Sequence, residues 1–482
     1  MSDVVLIFPK TGYDIKNASV ELPMSMLSLA AKLIDEYDVT IIDQRVDAKW
    51  EKKLDDELSK EPLAVTMGAM TGTQITNALT VSKRVKDAGS RTVWGGIHPT
   101  ILPYQTVAHP MVDYVIVGDG EFTLRQFVET AEKGEDLDSI PNVVSKKSKP
   151  DVLSEKVPIA DPVEIPEIPF HLVDVENYVK SGGMTFSKKE RILPFVTSRG
   201  CPYRCGYCST GYLAARRWMP LTAEESIKRV LNMSKKFNLD AVKFYDENFL
   251  SNPKRAVQIA EGIGRKVSWS IQARMDNILS TDIQKLEEGG LRIVEPGVES
   301  GNNRILSMVH KDETVETMIA ANRKLAQTNI KAFYNFMMGF PTETKEEIMQ
   351  TVDFALQLIK ENKNAHVTGF YVYSPYPGTS LYNLAVEHGF NAPESLEGWA
   401  EYSRQQQLTP WIQDKIGMLN MIMYGSKFVD GRRMKHILKN THVPPVVFTA
   451  LGAYFRNKWT HHDFKETVVV KALRAIASRT LN

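Results

Sequence analysis

The first 140 residues alternate short apolar runs with longer amphipathic stretches. The runs are rich in valine and isoleucine, and the intervals are long enough for helices, which is the pattern of βαβ units. The strand candidates are Val4–Phe8, Val39–Ile42, Leu63–Met67, Thr92–Trp94 and Tyr114–Val117, and the clearest helix candidate is Met24–Ile34. The pattern predicts a flavodoxin-like parallel sheet with helices on both faces, which binds ligands at the carboxyl ends of its strands.

A second series of strands is predicted between residues 191 and 395. Apolar segments again alternate with helix-length amphipathic segments such as Ala223–Phe237. The strand candidates are Ile192–Thr197, Ala241–Tyr245, Ser268–Gln272, Ile293–Gly297, Ala332–Met337 and His366–Tyr373. A closed barrel of βα units needs about eight strands, so this shorter series predicts a partial (βα)6 TIM-type barrel.

The remaining segments differ in composition. Residues 141–190 are polar and interrupted by prolines, which is typical of an extended linker. From residue 396 the strand pattern fades and a basic, helical pattern follows. The sequence therefore predicts an α/β protein in four parts: a ligand-binding domain at 1–140, a linker at 141–190, a partial barrel at 191–395 and a small helical C-terminal region at 396–482.

Charge is distributed unevenly along the chain. The formal net charge is only +1, but residues 427–479 contain 11 Lys or Arg against three acidic residues. We interpret this basic tail either as a solvated helical face or as a surface for an anionic substrate or a membrane. Nucleic acid is not an expected partner, because the rest of the chain is net acidic.

The sequence predicts a cytoplasmic enzyme, with peripheral membrane contact through the basic tail as the alternative. No segment reaches the roughly 20 apolar residues of a membrane-spanning helix. The amino terminus has neither a positive leader nor a small-residue cleavage site.

All three cysteines of the chain, Cys201, Cys205 and Cys208, lie on one short segment. The segment directly follows the first predicted barrel strand, so we expect it at the mouth of the barrel, where such folds place chemistry. Three thiolates on one loop could hold three irons of a cubane cluster and leave the fourth iron open to a ligand. The alternatives are a structural zinc site, although it usually takes four protein ligands, and three unrelated buried cysteines.

The spacing Cys-x3-Cys-x2-Cys, with the aromatic Tyr207 before the last cysteine, resembles the signature of radical S-adenosylmethionine enzymes. The resemblance implies a [4Fe–4S] cluster held by Cys201, Cys205 and Cys208. It also implies that S-adenosylmethionine binds at the open iron, close to Tyr207.

Motifs at the ends of the following strands extend this resemblance. They are Phe244–Phe249, Gln272–Arg274, Gly297–Gly301 and Gly339–Pro341. The resemblance implies that Asp246 and Glu247 accept hydrogen bonds from the ammonium of the cofactor and that Arg274 pairs with its carboxylate. The alternatives are a helix N-cap region for the two acids and a surface position for the arginine.

Two later motifs carry the nucleoside part of the same resemblance. Glu299 and Ser300 are expected to contact the ribose, and the turn at Gly339 is expected to lie on the adenine side.

The first domain resembles the cobalamin-binding domain that is fused to some radical enzymes. The similarity is carried by the segments Thr66–Thr73, Gly95–Thr100 and Gly118–Glu121. The residues that the resemblance assigns to cobalamin are Thr71, Gly72, Thr73, Gly95, Gly96, His98, Gly118, Gly120 and Glu121. The histidine that many cobalamin proteins place below cobalt is missing after the first strand. A domain that keeps the fold but has lost the vitamin is the alternative.

Together the two parts resemble cobalamin-dependent radical enzymes over about residues 1–395. This class includes methyltransferases that act on unactivated carbon and the anaerobic oxidative cyclase of bacteriochlorophyll synthesis. We expect a methyltransferase for a small hydrophobic or anionic molecule, served by an electron donor such as flavodoxin or ferredoxin. A cyclase or rearrangement enzyme of tetrapyrrole or lipid metabolism, or a non-catalytic sensor, remains open, and the sequence identifies no catalytic residue beyond the cofactor ligands.

Overall fold

The computed structural model describes residues 3–12, 14, 20–149, 157–179, 190–402, 409–430 and 445–480 of the 482-residue chain. The chain forms two compact units, and each is assembled from three separate stretches. The first unit comprises Met1–Gly183, Leu213–Pro220 and Asn391–Gln405, and the second comprises Met184–Tyr212, Leu221–Phe390 and Gln406–Asn482.

The first unit contains a six-stranded sheet in the order β2-β1-β3-β4-β5-β6. Its strands are β1 (Val4–Phe8), β2 (Val39–Asp43), β3 (Ala64–Gly68), β4 (Thr92–Gly95), β5 (Tyr114–Ile116) and β6 (Val143–Ser145). The first five are parallel and have the flavodoxin-like order, which confirms the predicted sheet. The edge strand β6 pairs antiparallel with β5, and at three residues it is too short to produce a periodic signal in the sequence.

Helices cover both faces of this sheet. They are α1 (Met24–Ala31), α2 (Trp50–Leu58), α3 (Thr73–Asp87), α4 (Ile97–Ile101), α5 (Pro103–Ala108), α6 (Glu121–Glu132) and α7 (Glu176–Val179). The described part of the predicted linker also packs on this unit, because Ala160 and Ile165 are buried against Ala31 of α1. The unit therefore extends beyond the sheet that periodicity predicts.

The second unit contains six parallel strands in the order β14-β13-β12-β11-β10-β7. The strands of the chain after β6 are β7 (Ile192–Phe195), β8 (Ser198–Gly200), β9 (Trp218–Pro220), β10 (Ala241–Phe244), β11 (Ser268–Arg274), β12 (Leu291–Glu299), β13 (Lys331–Met338) and β14 (Ala365–Val372). β7 and β14 lie at opposite edges, so the sheet stays open and the predicted partial barrel is confirmed.

Helices alternate with these strands, and several of them begin at a side-chain cap. The helices between β8 and the end of β14 are α8 (Ser209–Leu213), α9 (Ala223–Phe237), α10 (Pro253–Ile263), α11 (Met275–Ser280), α12 (Ile283–Glu288), α13 (Asn303–Met308), α14 (Val315–Leu325) and α15 (Lys345–Glu361). Thr344 and Glu347 form a reciprocal capping box at the start of α15. α9 ends at Asn238, whose left-handed backbone stops the helix.

Among the described residues after β14, the regular elements are helices, as predicted. The helices are α16 (Ser380–Glu387), α17 (Leu396–Tyr402), α18 (Ile416–Val429), α19 (Pro445–Thr460) and α20 (Val468–Thr480), and α17 belongs to the first unit. In the second unit, Phe455 of α19 stacks on Phe428 of α18, with ring centroids 5.6 Å apart. Among the described residues, no helix is both long and apolar enough to cross a membrane.

Candidate functional site

The three cysteines lie on the loop that follows β7 and β8, at the carboxyl edge of the second sheet. The loop is fixed at Gly206, whose backbone N donates to the carbonyl of Val309 at 2.7 Å. The carbonyl of Gly206 accepts from the backbone N of Leu381 at 3.0 Å. A Cβ at Gly206 would lie only 2.8 Å from the hydroxyl of Ser380, so only glycine fits this clamp without rearrangement.

The thiols are half-buried, and none of them forms a disulfide. Burial raises the pKa of Cys201 to about 11 and also raises the pKa of Cys205, although the nearby Lys311 and Arg274 oppose the rise at Cys205. Within the described ranges, no three His, Cys, Asp or Glu side chains converge on a single metal ion. In a cubane cluster each thiolate binds a different iron, so the three sulfurs do not have to converge on a single metal ion. Three thiols on one loop that is fixed at Gly206 therefore fit such a cluster.

Arg274, at the end of β11, lies beside this loop with its side chain only 6% exposed. Its Nη1 lies 3.6 Å from the Sγ of Cys205. Nε and Nη2 donate to the two carboxylate oxygens of Asp276 at 3.1 Å each, and Nη2 also donates to the carbonyl of Lys311 at 2.6 Å. The guanidinium stacks 3.9 Å above the ring of Tyr203. This geometry directs Arg274 toward a cysteine sulfur, whereas the family resemblance implies a role at the cofactor carboxylate.

A buried ionic network continues from Arg274 beneath the cysteine loop. The Nζ of Lys311 lies 3.0 Å from Oε1 of Glu299 and 3.5 Å from Oε2 of Glu313, which is also 3.5 Å from Arg274. Burial opposes the charge on Lys311, but the two carboxylates outweigh it and hold the pKa of the ammonium above its usual range. The hydroxyl of Tyr207 donates to the same Glu299 oxygen at 2.8 Å. Lys311 and Glu313 were not identified from the sequence, where they look like part of a solvated charged turn.

The two acids after β10 have different environments. Asp246 is buried: its Oδ1 accepts from the backbone N of Thr197 at 2.7 Å, and its Oδ2 accepts from the hydroxyls of Thr197 and Ser198 at 2.5 and 2.6 Å. It therefore supports the start of the cysteine loop. Glu247 is exposed, and its charge adds to the rise in the pKa of Cys201. Of the two, only Glu247 is exposed to solvent.

Ser300 is buried and bonded within the protein. Its hydroxyl lies 3.0 Å from that of Thr351 and accepts from the backbone N of Asn302 at 3.2 Å. These bonds fix the turn after β12, whereas the neighbouring Glu299 contacts the cysteine loop through Tyr207.

The turn at Gly339 is held by side chains from both directions. The buried Glu343 accepts from the backbone N atoms of Gly339 and Phe340, at 2.5 and 3.1 Å, through Oε2. Its Oε1 has no partner among the described residues, and burial raises its pKa to about 8. Nε1 of Trp411 donates to the carbonyl of Gly339 at 2.8 Å, and Nζ of Lys415 donates to the carbonyl of Glu343 at 2.5 Å. The motif at Gly339–Pro341 predicts this turn, but no local pattern predicts its supports at Trp411 and Lys415.

The first unit contains a cavity of about 150 Å³ at the carboxyl ends of β3, β4 and β5, bounded by α1 and α6. Several of the predicted cobalamin residues line it: Gly95, Gly96, Gly118, Gly120 and Glu121. A Cβ at Gly95 would have no neighbour closer than 3.9 Å, so this glycine opens into free space. Thr66 also lines the cavity, and its buried hydroxyl has no partner in the described part of the chain. A glycine-rich cavity with an unsatisfied hydroxyl fits a large polar ligand such as the nucleotide tail of cobalamin.

Two of these glycines are required by the fold itself. Gly96 has a φ of +91°, and a Cβ there would lie 3.1 Å from the backbone of Ala69. Gly118 has a φ of +88°, and its Cβ would lie 2.6 Å from the carbonyl of Pro158. The positive φ and the close contact each make any residue other than glycine energetically costly at these two positions.

The other predicted cobalamin residues lie next to the cavity but do not line it. They are Thr71, Gly72, Thr73 and His98. His98 is buried, and burial lowers its pKa to about 4. Its ring meets Trp399 of α17 edge-on, with centroids 5.9 Å apart. These residues shape the two loops that bound the cavity.

Comparisons with known proteins agree with the division of the chain into two units. The model of the Radical SAM superfamily matches residues 195–355, and that of the B12 binding domain matches residues 13–128. An uncharacterized methyltransferase from Pyrococcus horikoshii is 29% identical over 453 residues, which cover 91% of this chain and 94% of that protein. An anaerobic magnesium-protoporphyrin IX monomethyl ester cyclase from Synechocystis is 24% identical. The alignment covers 76% of this chain and 73% of the cyclase.

Two solved structures share the fold. The radical S-adenosylmethionine methyltransferase TsrM from Kitasatospora setae, solved with cobalamin and a [4Fe–4S] cluster, aligns over 82% of this chain and 76% of its own with a TM-score of 0.64 and 18% identity. The cobalamin-dependent S-adenosylmethionine radical enzyme OxsB aligns over 95% of this chain and 71% of its own with a TM-score of 0.69 and 18% identity.

Proposed function

The chain belongs to the radical S-adenosylmethionine enzymes with a cobalamin-binding domain, and we propose that it is a methyltransferase for an unactivated carbon of a small molecule. The observation that carries this proposal is the presence in one chain of two separate sites at the carboxyl ends of parallel strands. One is the loop of three thiols, and the other is the glycine-lined cavity with the hydroxyl of Thr66, which has no partner among the described residues. The similarity to a methyltransferase over almost its whole length favours methyl transfer.

The second unit would hold the cluster through Cys201, Cys205 and Cys208. When bound, the reduced cluster and S-adenosylmethionine supply a carbon-centred radical, and cobalamin supplies the carrier for the methyl group. Glu247 would accept a hydrogen bond from the cofactor ammonium, because it is exposed and acts electrostatically on Cys201. Tyr207 would shape the site through its bond to Glu299.

The nucleoside part of the cofactor would lie against two turns of the second sheet. Glu299 and the backbone beside Ser300 would bound the ribose side. Gly339 would bound the adenine side, because Glu343, Trp411 and Lys415 hold its turn in one conformation.

The first unit would bind the nucleotide tail of cobalamin in its cavity. Gly95 would leave space for the tail, and the hydroxyl of Thr66 would bond to it. Thr71 and His98 would hold the loop that bounds this space, since the hydroxyl of Thr71 lies 3.0 Å from Nδ1 of His98.

The proportion of products tests the proposed reaction. Methyl transfer consumes one S-adenosylmethionine as methyl donor and one as radical source, so S-adenosylhomocysteine and 5′-deoxyadenosine should form in about equal amounts. The product should gain the mass of one CH₂. Candidate substrates would be incubated with the reduced, cobalamin-loaded enzyme, and all three species would be measured by mass spectrometry.

Other outcomes of the same experiment favour the alternatives. Product formation with 5′-deoxyadenosine but without S-adenosylhomocysteine would favour an oxidative cyclase, the activity named for the Synechocystis relative. A protein that binds both cofactors and releases no 5′-deoxyadenosine under any reducing condition would be a sensor rather than an enzyme.

We also propose two classes of partner. A flavodoxin or ferredoxin would supply the electron for the cluster. The basic tail would contact an anionic membrane surface, because it exposes both apolar and basic side chains: Val446 and Val468 are 69% and 81% exposed, and Arg456 and Lys471 are exposed as well. Sedimentation with phosphatidylcholine vesicles, with and without phosphatidylglycerol, tests this: binding only to the anionic vesicles supports the contact, and binding to neither refutes it.

A further inference from the structure

Two buried cations lie on one side of the cysteine loop. The side chains of Arg274 and Lys311 are only 6% and 4% exposed. Charges in such surroundings act strongly on their neighbours, because little water screens them. Both groups are held in place by carboxylates, so their positions are fixed before any cofactor binds.

The guanidinium of Arg274 has one nitrogen left for the loop. Nε and Nη2 are bonded to Asp276 and to the carbonyl of Lys311. Among the described residues, the partner of Nη1 is the Sγ of Cys205, at 3.6 Å. The stacked ring of Tyr203 prevents the plane from turning elsewhere.

Lys311 also helps to hold Arg274 in this position. Its ammonium bridges Glu299 and Glu313, and its own carbonyl accepts from Arg274. The backbone of Lys311 therefore orients the guanidinium of Arg274, and its ammonium adds a second positive charge near the cysteine loop.

We propose that Arg274 is a positioning residue for the cluster: Nη1 donates to the sulfur of Cys205 and, with Lys311, favours the one-electron reduction of the bound cluster. This inference rests on the proposed function. Reduction adds one negative charge to the cluster, and fixed donors and cations near its sulfurs stabilise that charge. Arg274 then serves the sulfur of Cys205 rather than the methionyl carboxylate.

The test is the midpoint potential of the reconstituted cluster without S-adenosylmethionine. Protein with about four irons would be titrated with dithionite in the presence of redox mediators, and the reduced cluster would be followed by electron paramagnetic resonance. Arg274→Gln should lower the equilibrium constant for reduction at least tenfold, which is about 59 mV for one electron. Arg274→Lys keeps the charge but loses the aligned donor, so it should shift the potential by less.

Arg204→Gln is the matched control. Arg204 precedes Cys205 on the same loop, but its side chain is 52% exposed and is paired with Asp312. The variant loses the same formal charge at a screened site, so its potential should equal that of the parent protein.

A second measurement separates the two roles of Arg274. The dissociation constant of S-adenosylmethionine should stay within about twofold in the neutral variant Arg274→Gln if the arginine serves the sulfur of Cys205. An unchanged potential combined with a tenfold weaker affinity would overturn the proposal and assign Arg274 to the carboxylate. If Arg274→Gln fails to fold, because Asp276 and Glu313 lose their partner, the double variant Arg274→Gln/Glu313→Gln and the Arg274→Lys result decide.

Failure of the proposed function has a different signature. A parent protein that takes up no iron would overturn both the function and this inference. A parent that holds the cluster and releases 5′-deoxyadenosine, with potentials unaffected in every Arg274 variant, would overturn this inference alone.

Discussion

The hydroxyl of Thr71 lies 3.0 Å from Nδ1 of His98 and joins the loop after β3 to the start of α4. The backbone N of His98 also donates to the carbonyl of Ala69 at 3.1 Å. The second ring nitrogen, Nε2, is buried and has no partner within the described ranges. A neutral imidazole therefore braces the two loops that bound the cavity.

This brace predicts acid sensitivity of the first unit. Burial lowers the pKa of His98 from 6.5 to about 4, so below pH 6.5 the unfolded chain takes up a proton more readily than the folded one. Stability is lost as the pH falls from about 6.5 toward 4, by up to about 1.4 kcal/mol per pH unit. His98→Gln should reduce the drop in apparent unfolding temperature between pH 7 and pH 5.

The control for this prediction is His171→Gln, which changes an exposed histidine of the same unit. It should retain the parent's dependence on pH. An unchanged drop in His98→Gln would mean that other groups cause the acid sensitivity.

Gly95→Val should weaken cobalamin binding at least tenfold. The new side chain would project into open cavity space, since a Cβ there has no neighbour closer than 3.9 Å, so the fold should tolerate it. Affinity can be measured by titration of the visible absorption of cobalamin. Ala88→Val, at an exposed position at the opposite end of the sheet, is the control. Equal affinities in the two variants would place the vitamin outside this cavity.

Cys205→Ala should remove the cluster, because two thiolates cannot retain a cubane securely. Iron content after anaerobic reconstitution should fall from about four per chain to below one, and 5′-deoxyadenosine should be undetectable by mass spectrometry. The exposed Arg204→Gln variant should keep the parent's iron content. A Cys205→Ala protein that still cleaves S-adenosylmethionine would contradict the assignment of this loop.

Glu343→Gln should stabilise the second unit at alkaline pH. Burial raises the pKa of Glu343 from 4.5 to about 8, so the folded state holds its proton while the unfolded chain releases it. The associated stability is present below pH 4.5 and is lost as the pH rises through about 8, with a size of a few kcal/mol. The apparent unfolding temperature of Glu343→Gln should therefore fall less than that of the parent between pH 6 and pH 9.

Glu346→Gln, at an exposed position of α15, is the control for the Glu343 variant. A parallel fall in all three proteins would show that Glu343 is not the group responsible.

The sequence predicts the two sheets because their strands are short, apolar and evenly spaced, which is a local signal. It also predicts the cysteine loop, since the three thiols are neighbours in the chain. It predicts the glycines of the cavity as well, because the backbone at several of these strand ends comes so close to neighbouring segments that a larger residue would not fit. The ligand roles of these residues stay predictions. Their placement in the fold, however, matches what the motifs indicate.

The features that the sequence does not predict all depend on distant partners. Asp246 lies in the expected turn, but its bonds to Thr197 and Ser198 are long-range contacts that no spacing encodes. The direction of Arg274 toward Cys205 depends on Lys311, 37 residues away. The support of Gly339 comes from Trp411, 72 residues further along the chain. Contacts between residues so far apart in the chain leave no trace in local periodicity or in motif spacing.

The first unit also needs a late part of the chain. Its helix α17 lies within Asn391–Gln405, and Trp399 from that helix is buried against His98. During translation, the sheet of the first unit leaves the ribosome long before residue 391 is added. The nascent unit would therefore expose the surface that Trp399 later covers until most of the barrel has been synthesised. Expression of residues 1–183 alone would leave that surface, including the ring of His98, permanently without the cover of Trp399.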